Sequence, residues 1–198
     1  MVQVAVFDYG AGNIFSLKKS LERCGAGVDI VTSMREARAC SGILLPGVGH
    51  FDPAVRSIRN GLHGLAEWPL PTLGICLGME AFFERSEEGD ESGLGIMAGD
   101  VVLLPDDVKV PHMGWNNIKI REDMWLLDGV DDDSWVYFVH SYAARPASDD
   151  IIVAYTEYGD RIPAIVQKDT FVGTQFHPEK SGAVGRMMIE NFLKECKR

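Results

Sequence analysis

The sequence predicts an α/β fold: a single domain, residues 1–198, built on an open, mixed, mostly parallel sheet flanked by helices. Three observations lead there. Over the first half, apolar strand-like runs alternate with amphipathic helical patterns, as in a parallel sheet covered on both faces. Beyond about residue 100 the pattern becomes a succession of strands separated by turns rich in Asp, Gly and Pro. A chain of 198 residues, 46% hydrophobic and 24% charged, also suits one sizeable core better than two small ones.

The elements follow in order. Residues 3–9 read as a strand, followed by a Gly-rich turn and a helix over about 14–24. Residues 28–32 form the second strand. Ser33-Met34-Arg35-Glu36 has capping-box spacing and opens a short helix. A third strand, 43–45, stops at Pro46. Asp52 reads as an N-cap with Pro53 at the first helical position, and Ala54, Val55, Ile58 and Leu62 recur at helical spacing. A strand over 72–76 passes into a helix that gives way around the acidic 86–90 stretch. Then 101–104, 117–120, 135–142, 151–158, 164–168 and 171–175 read as strands. A final helix over about 184–194 places Met188, Ile189, Phe192 and Cys196 on one face. There is no internal repeat, linker or low-complexity segment.

Gly74-Ile75-Cys76-Leu77-Gly78 stands where strand turns into helix. A nucleophile on so tight a turn needs small neighbours, the logic of the G-x-S-x-G elbow with cysteine in place of serine. The helix N-terminus is also expected to lower the thiol pKa. The plain alternative is a buried structural cysteine between two glycines. A nucleophile needs a base and an orienting group. The stretch ending Gln175-Phe176-His177-Pro178-Glu179 offers both, because positions i and i+2 of an extended segment face the same side. Cys76, His177 and Glu179 are the expected triad. Pro46-Gly47-Val48-Gly49 reads by itself as a strand-ending turn. Gly10-Ala11-Gly12-Asn13-Ile14-Phe15 begins like a dinucleotide fingerprint, but Phe15 stands where the third small residue belongs. His112 and His140 read as satisfied structural groups.

The bulk numbers exclude several classes. A formal net charge of −10 argues against nucleic acid or an anionic membrane as partner. Cys24, Cys40, Cys76 and Cys196 form no C-x-x-C pair and no metal-like cluster, so neither a metal nor a disulfide is expected, and the setting is reduced and cytoplasmic. The start of the chain reads directly into a core strand rather than a signal peptide, and no apolar run approaches the roughly 20 residues of a membrane helix.

Taken together, Cys76 on its elbow, Pro46-Gly47-Val48-Gly49 and His177-Pro178-Glu179 resemble the class I (triad) glutamine amidotransferases. Asp8-Tyr9-Gly10-Ala11-Gly12-Asn13-Ile14, His112-Met113-Gly114-Trp115-Asn116 and Tyr137-Phe138-Val139-His140-Ser141-Tyr142 narrow the likeness to the glutaminase subunits of imidazole glycerol phosphate synthase. The motifs run in order from residue 8 to residue 181. The resemblance implies a flavodoxin-like sheet, no cofactor, and hydrolysis of glutamine through a Cys76 thioester. It implies oxyanion donors at Leu77 and at Val48 or Gly49, and substrate contacts from Glu80, Glu88, Ser141 and Tyr142. Relatives usually carry Gln where this chain has Glu80, and a glutamate there keeps the acceptor but loses the NH2 donor. The implied partner is the (β/α)8 cyclase subunit of the synthase, as a heterodimer, with Asn13, Ser16, Trp115, Tyr137 and Lys180 near the interface and the ammonia exit. The alternatives are a glutaminase subunit of another synthase of the pyridoxal-phosphate type, a catalytically silent interaction protein and a cysteine peptidase.

Overall fold

A computed structural model describes residues 1–10, 14–47 and 49–198. The first half runs β1 (Gln3–Phe7), α1 (Ile14–Arg23), β2 (Gly27–Val31), α2 (Met34–Ala37), β3 (Ile43–Leu45), α3 (Phe51–Gly61), β4 (Thr72–Ile75) and α4 (Leu77–Glu80). Then come β5 (Arg85–Ser86), β6 (Gly99–Leu103), β7 (His112–Asn117), β8 (Lys119–Ile120), β9 (Trp135–His140) and β10 (Tyr142–Pro146). The chain closes with β11 (Ile152–Tyr158), β12 (Asp160–Lys168), β13 (Phe171–Thr174) and α5 (Gly182–Glu195).

The central sheet has the order β2-β1-β3-β4-β13-β12-β11-β8. Its β2 to β13 half is parallel, and β12, β11 and β8 add antiparallel to it. The parallel strands are buried on both faces, which explains their continuous apolar runs. In β1, Val4 and Val6 join the core under α1 and α5, whereas Ala5 and Phe7 join the core under α3. Met188, Ile189, Phe192 and Cys196 of α5 all bury, as their helical spacing requires. The Glu36 half of the capping box is formed, its carboxylate accepting from the Ser33 N–H. Among the described residues no helix is long and apolar enough to cross a membrane.

Four local expectations need correction. The helix after Cys76 is a single turn. Its continuation is claimed by the 93–97 loop, where Leu94, Met97 and Gly95 donate to the carbonyls of Ala81, Phe82 and Phe83. Residues 135–142 are two strands, because the chain changes partner at Ser141: β9 pairs with β7 as a separate ribbon and β10 pairs with β6. Strand β12 starts at Asp160, after a turn with Gly159 at φ +70°, and Pro163 is absorbed beside a register shift in β11. Asp52 does not cap α3. His50 holds that position, while the Asp52 carboxylate accepts from the N–H groups of Asp90 and Glu91.

One constraint fixes where α4 sits. A Cβ on Gly78 would press into the carbonyl of Leu45 on β3, well inside van der Waals distance. Gly78→Ala therefore forces backbone apart in a packed core and is expected to cost about 2 kcal/mol or more. At about 2–4 °C per kcal/mol for a chain of this size, calorimetry should show Tm falling by several degrees. An unchanged Tm would contradict the close approach.

Candidate active site

The site is built at the C-terminal ends of β4 and β13. Cys76 follows β4 with φ +48° and ψ −109°, a conformation rarely adopted by a residue bearing a side chain. It is held there from both sides. The Cys76 N–H donates to the Thr174 carbonyl on β13, and the Cys76 carbonyl accepts from Met79 and Glu80 of α4. A Cβ on Gly74 would come within 2.6 Å of the Gly78 carbonyl oxygen, so neither glycine can be enlarged without opening the elbow.

The thiol is nearly buried. Its Sγ lies 3.8 Å from the Val139 carbonyl and 3.7 Å from Gln175 Nε2. Burial pushes the Cys76 pKa well above the usual thiol value, and the Glu80 charge pushes it further; the Leu77 N–H and Gln175 act the other way but do not win. The expected lowering at a helix N-terminus is therefore overturned. A single helical turn offers little dipole, and desolvation of a thiolate outweighs it.

Strand β13 pairs with β4 in register, Thr174 opposite Ile75, and so delivers His177 to the same sheet end. His177 Nδ1 lies 2.8 Å from Glu179 Oε1. A carboxylate only accepts, so Nδ1 carries the proton and Nε2 is left as an acceptor. The pairing is achieved differently from the extended geometry read in the sequence, because residues Pro178–Lys180 form a 3-10 turn that folds Glu179 back onto the ring. The His177 N–H donates to the Tyr137 carbonyl and its carbonyl accepts from Ser181 Oγ, which also receives the Tyr137 N–H.

A cavity of about 260 Å³ opens on Cys76, and Gly49, Leu77, Glu80, Glu88, Ser141 and Tyr142 also line it. Gly49 adopts φ +114°, reserved in practice for glycine. The Pro46 carbonyl before it accepts from the Tyr9 hydroxyl. Val48 and Asn13 lie outside the described residues. Glu88 is no freely solvated turn residue: it accepts from the Phe51 N–H at 2.9 Å, capping α3, and faces His50 at 3.5 Å. Glu80 is buried and accepts from Gln175 Nε2 at 3.0 Å. Burial, partly relieved by that bond and reinforced by the Glu88 charge, raises its pKa to about 7.

His112 and His140 form a closed polar chain beside the cavity. The Tyr142 carbonyl requires a proton on His140 Nδ1; His140 Nε2 then accepts from His112 Nδ1, and His112 Nε2 accepts from Asn116. The ring of His112 stacks between Phe138 and Tyr158. Burial depresses both pKa values, to about 4 for His112 and about 3 for His140, so both rings are neutral. Among the described residues no three His, Cys, Asp or Glu side chains converge as a metal site.

Trp115 and Tyr137 sit opposite each other on the β7–β9 ribbon, ring centroids 6.0 Å apart. Met113, Trp115 and Trp135 are 62%, 51% and 58% exposed, and alternation along the ribbon puts them on one apolar face. Lys180 and Ser16 are exposed nearby, since α1 packs against the 178–180 turn. No sequence signal marked Gln175 or Trp135. Their roles depend on neighbours remote in sequence.

The family model for Glutamine amidotransferase class-I matches residues 5–196. The chain belongs to the class-I glutamine amidotransferases. It is similar to the imidazole glycerol phosphate synthase subunit HisH of Methanocaldococcus jannaschii, 44% identical over 195 residues covering 96% of this chain and 98% of that one. The same subunit from Archaeoglobus fulgidus is 42% identical, covering 98% and 100%, and that of Synechococcus sp. is 45% identical, covering 98% and 94%. Among solved structures, PurLQS from Thermotoga maritima matches with TM-score 0.77 at 19% identity, covering 98% of this chain and 99% of that one. The glutaminase domain of Trypanosoma brucei CTPS matches with TM-score 0.69 at 18% identity, covering 100% and 94%. These structures establish the amidotransferase fold.

The buried Glu80 of this amidotransferase has a consequence for stability. Its pKa is about 7 folded against 4.5 for an ordinary glutamate, so the native state binds the proton more tightly. The contribution favours folding below the unfolded value and is lost as pH rises toward 7. Glu80→Gln removes that loss. Urea unfolding should find the variant more stable than wild type by on the order of 3 kcal/mol near pH 8, with little difference near pH 4. Equal differences at the two pH values would contradict the buried-acid assignment.

Proposed function

We propose that the chain is the glutaminase subunit of imidazole glycerol phosphate synthase, hydrolysing glutamine and passing the ammonia to a (β/α)8 cyclase subunit in histidine biosynthesis. The observation that carries this reading is the strained Cys76 elbow opening on a cavity at the sheet end shared with the His177–Glu179 pair. Near full-length likeness to synthase subunits supports the choice of partner. Residues 1–198 are read as one amidotransferase domain, and four free cysteines go with a cytoplasmic location.

The chemistry follows from the electrostatics. A thiol held above its ordinary pKa is not a resting thiolate, so proton transfer to His177 Nε2 must accompany attack on the amide carbon. Glu179 keeps the ring in the required tautomer. The tetrahedral oxyanion would take the Leu77 N–H and a second N–H from Val48 or Gly49, each such donor contributing about 2.7–4 kcal/mol. His177 then protonates the departing ammonia, leaving a thioester, and activates the water that hydrolyses it to glutamate. Glu88 is the acceptor for the substrate ammonium, with Ser141 and Tyr142 toward its other end. Glu80 suits that end only as a neutral acid, since its charge would repel the substrate carboxylate.

The apolar ribbon face, with Trp115 and Tyr137, and the adjacent Lys180 and Ser16 form the surface for the cyclase. An exposed aromatic cluster of this kind fits an interface. Asn13 belongs to the same group by sequence. The phosphorylated substrate belongs to the cyclase, and glutamine turnover depends on that subunit's occupancy through the Val48–Gly49 loop.

The decisive experiment is glutamate release from glutamine by the chain alone and with a cyclase subunit loaded with its ribulosyl ligand. Turnover is expected in the loaded complex and absent in Cys76→Ala. No turnover in any mixture of folded proteins would point to another synthase partner or an inactive interaction protein. Trp115→Ala should weaken the complex by about 2 kcal/mol, roughly 30-fold in Kd by calorimetric titration. Unchanged affinity would move the interface elsewhere.

A further inference from the structure

The amide of Gln175 is shared by two groups that compete for it. Its Nε2 lies 3.0 Å from Glu80 Oε1 and 3.7 Å from Cys76 Sγ. Gln175 is fully buried and Glu80, at the cavity wall, is 4% exposed, so water competes little for either. Two N–H groups on Nε2 allow one for each neighbour. Charge decides how they are divided. An ionised Glu80 takes a charge-assisted bond from the amide and opposes a second negative charge one helical turn away. A neutral Glu80 makes a weaker demand on the amide, places no charge beside the sulfur, and carries an O–H of its own to donate.

We propose that Gln175 is a positioning residue of the nucleophile, and that Glu80 must be the neutral acid when Cys76 gives up its proton. The inference rests on Cys76 being the nucleophile of the proposed glutaminase. The surroundings leave an ionised Glu80 without support. Strands β3, β4 and β13, packed against α4, carry no titratable side chain. Helix α3 carries Asp52, Arg56 and Arg59; both arginines pair with Glu91, and Asp52 is committed to the Asp90 and Glu91 amides. Glu88 bears the same sign as Glu80, Glu179 is bound to His177, and among the described residues no cation is paired with Glu80. Burial accordingly holds the Glu80 carboxyl at about 7. As pH rises through that value Glu80 ionises and Cys76 becomes harder to deprotonate. At lower pH the opposition disappears. The acceptor of the Cys76 proton is His177, and a neutral Glu80 leaves that transfer unopposed.

The test is alkylation of Cys76 by iodoacetamide in the full chain, followed on the Cys76 peptide by mass spectrometry. The thiolate forms the S–C bond and iodide leaves, so the rate reports the thiolate fraction. Glu80→Gln keeps the shape and the acceptor but cannot ionise. It should match wild type within about twofold near pH 6 and react about tenfold faster near pH 8.5, one unit of thiol pKa. Gln175→Leu should slow the reaction at both pH values. Superimposed wild-type and Glu80→Gln profiles, or a constant offset between them, overturn the proposal. Wild type alone supplies a second check by infrared spectroscopy. A protonated-carboxyl band should be present near pH 6 and lost near pH 9, and a missing band means that Glu80 is ionised throughout. Alkylation needs no glutamine, so failure here is distinct from absence of glutaminase activity.

Discussion

The structure depends on one close approach. The single turn of α4 rests on the ends of β3 and β4 with no side chain between them, Gly78 against the Leu45 carbonyl and Gly74 beneath Gly78. No other residue type fits these two positions. Because the helix begins so close to the strand, the chain must reverse within one residue, and Cys76 takes the positive φ. Its carbonyl is then consumed by the helix and its N–H by β13, which leaves the side chain as the group that projects. Such strain costs on the order of 1–3 kcal/mol and persists only where surrounding contacts over-determine it. Here the β4–β13 register and the glycine contacts do so.

The same packing explains why the site is electrostatically unfavourable to its own nucleophile. Closing the elbow removes water from Cys76, Glu80, Gln175 and His177 together. Glu80 and Glu179 both raise the cost of a thiolate, and the donors opposing them are a single backbone N–H and one amide. A resting thiol in such a place is chemically quiet. Reaction from a protonated thiol requires an aligned base and oxyanion donors.

Much of this was legible in the sequence where the determinants are local. Alternating apolar runs gave the parallel strands, Met188, Ile189, Phe192 and Cys196 gave the buried face of α5, and the glycines around Cys76 marked the elbow. What was illegible depends on partners distant in the chain. Residues 135–142 form one apolar run, and only the choice of β7 and then β6 as neighbours divides it at Ser141. The helical pattern after Cys76 continues through Phe82 and Phe83, yet their carbonyls are taken by residues 94–97. Asp52 has the spacing of a cap and spends its carboxylate on another loop. The thiol pKa is illegible in the sequence for the same reason. A helix N-terminus can be read from sequence, whereas the burial that overrides it cannot.

Strand β9 connects the outer surface to the chemistry. Along any strand, successive residues turn their backbone groups to opposite edges. Val136, Phe138 and His140 alternate with Tyr137 and Val139, and one edge of β9 pairs with β7. The other edge meets the catalytic elements: the Tyr137 carbonyl takes the His177 N–H, the Tyr137 N–H reaches Ser181, and the Val139 carbonyl lies against Cys76 Sγ. The residues whose backbone touches the site are thus those whose side chains share a face with Trp115 and Met113. Between that apolar face and the contacts to His177 and Cys76 lies the main chain of a single strand. On the opposite face of the ribbon, the neutral His112–His140 chain is fully committed in its hydrogen bonds. On the proposed docking of the cyclase at this face, partner contact and the nucleophile would be linked through that one strand.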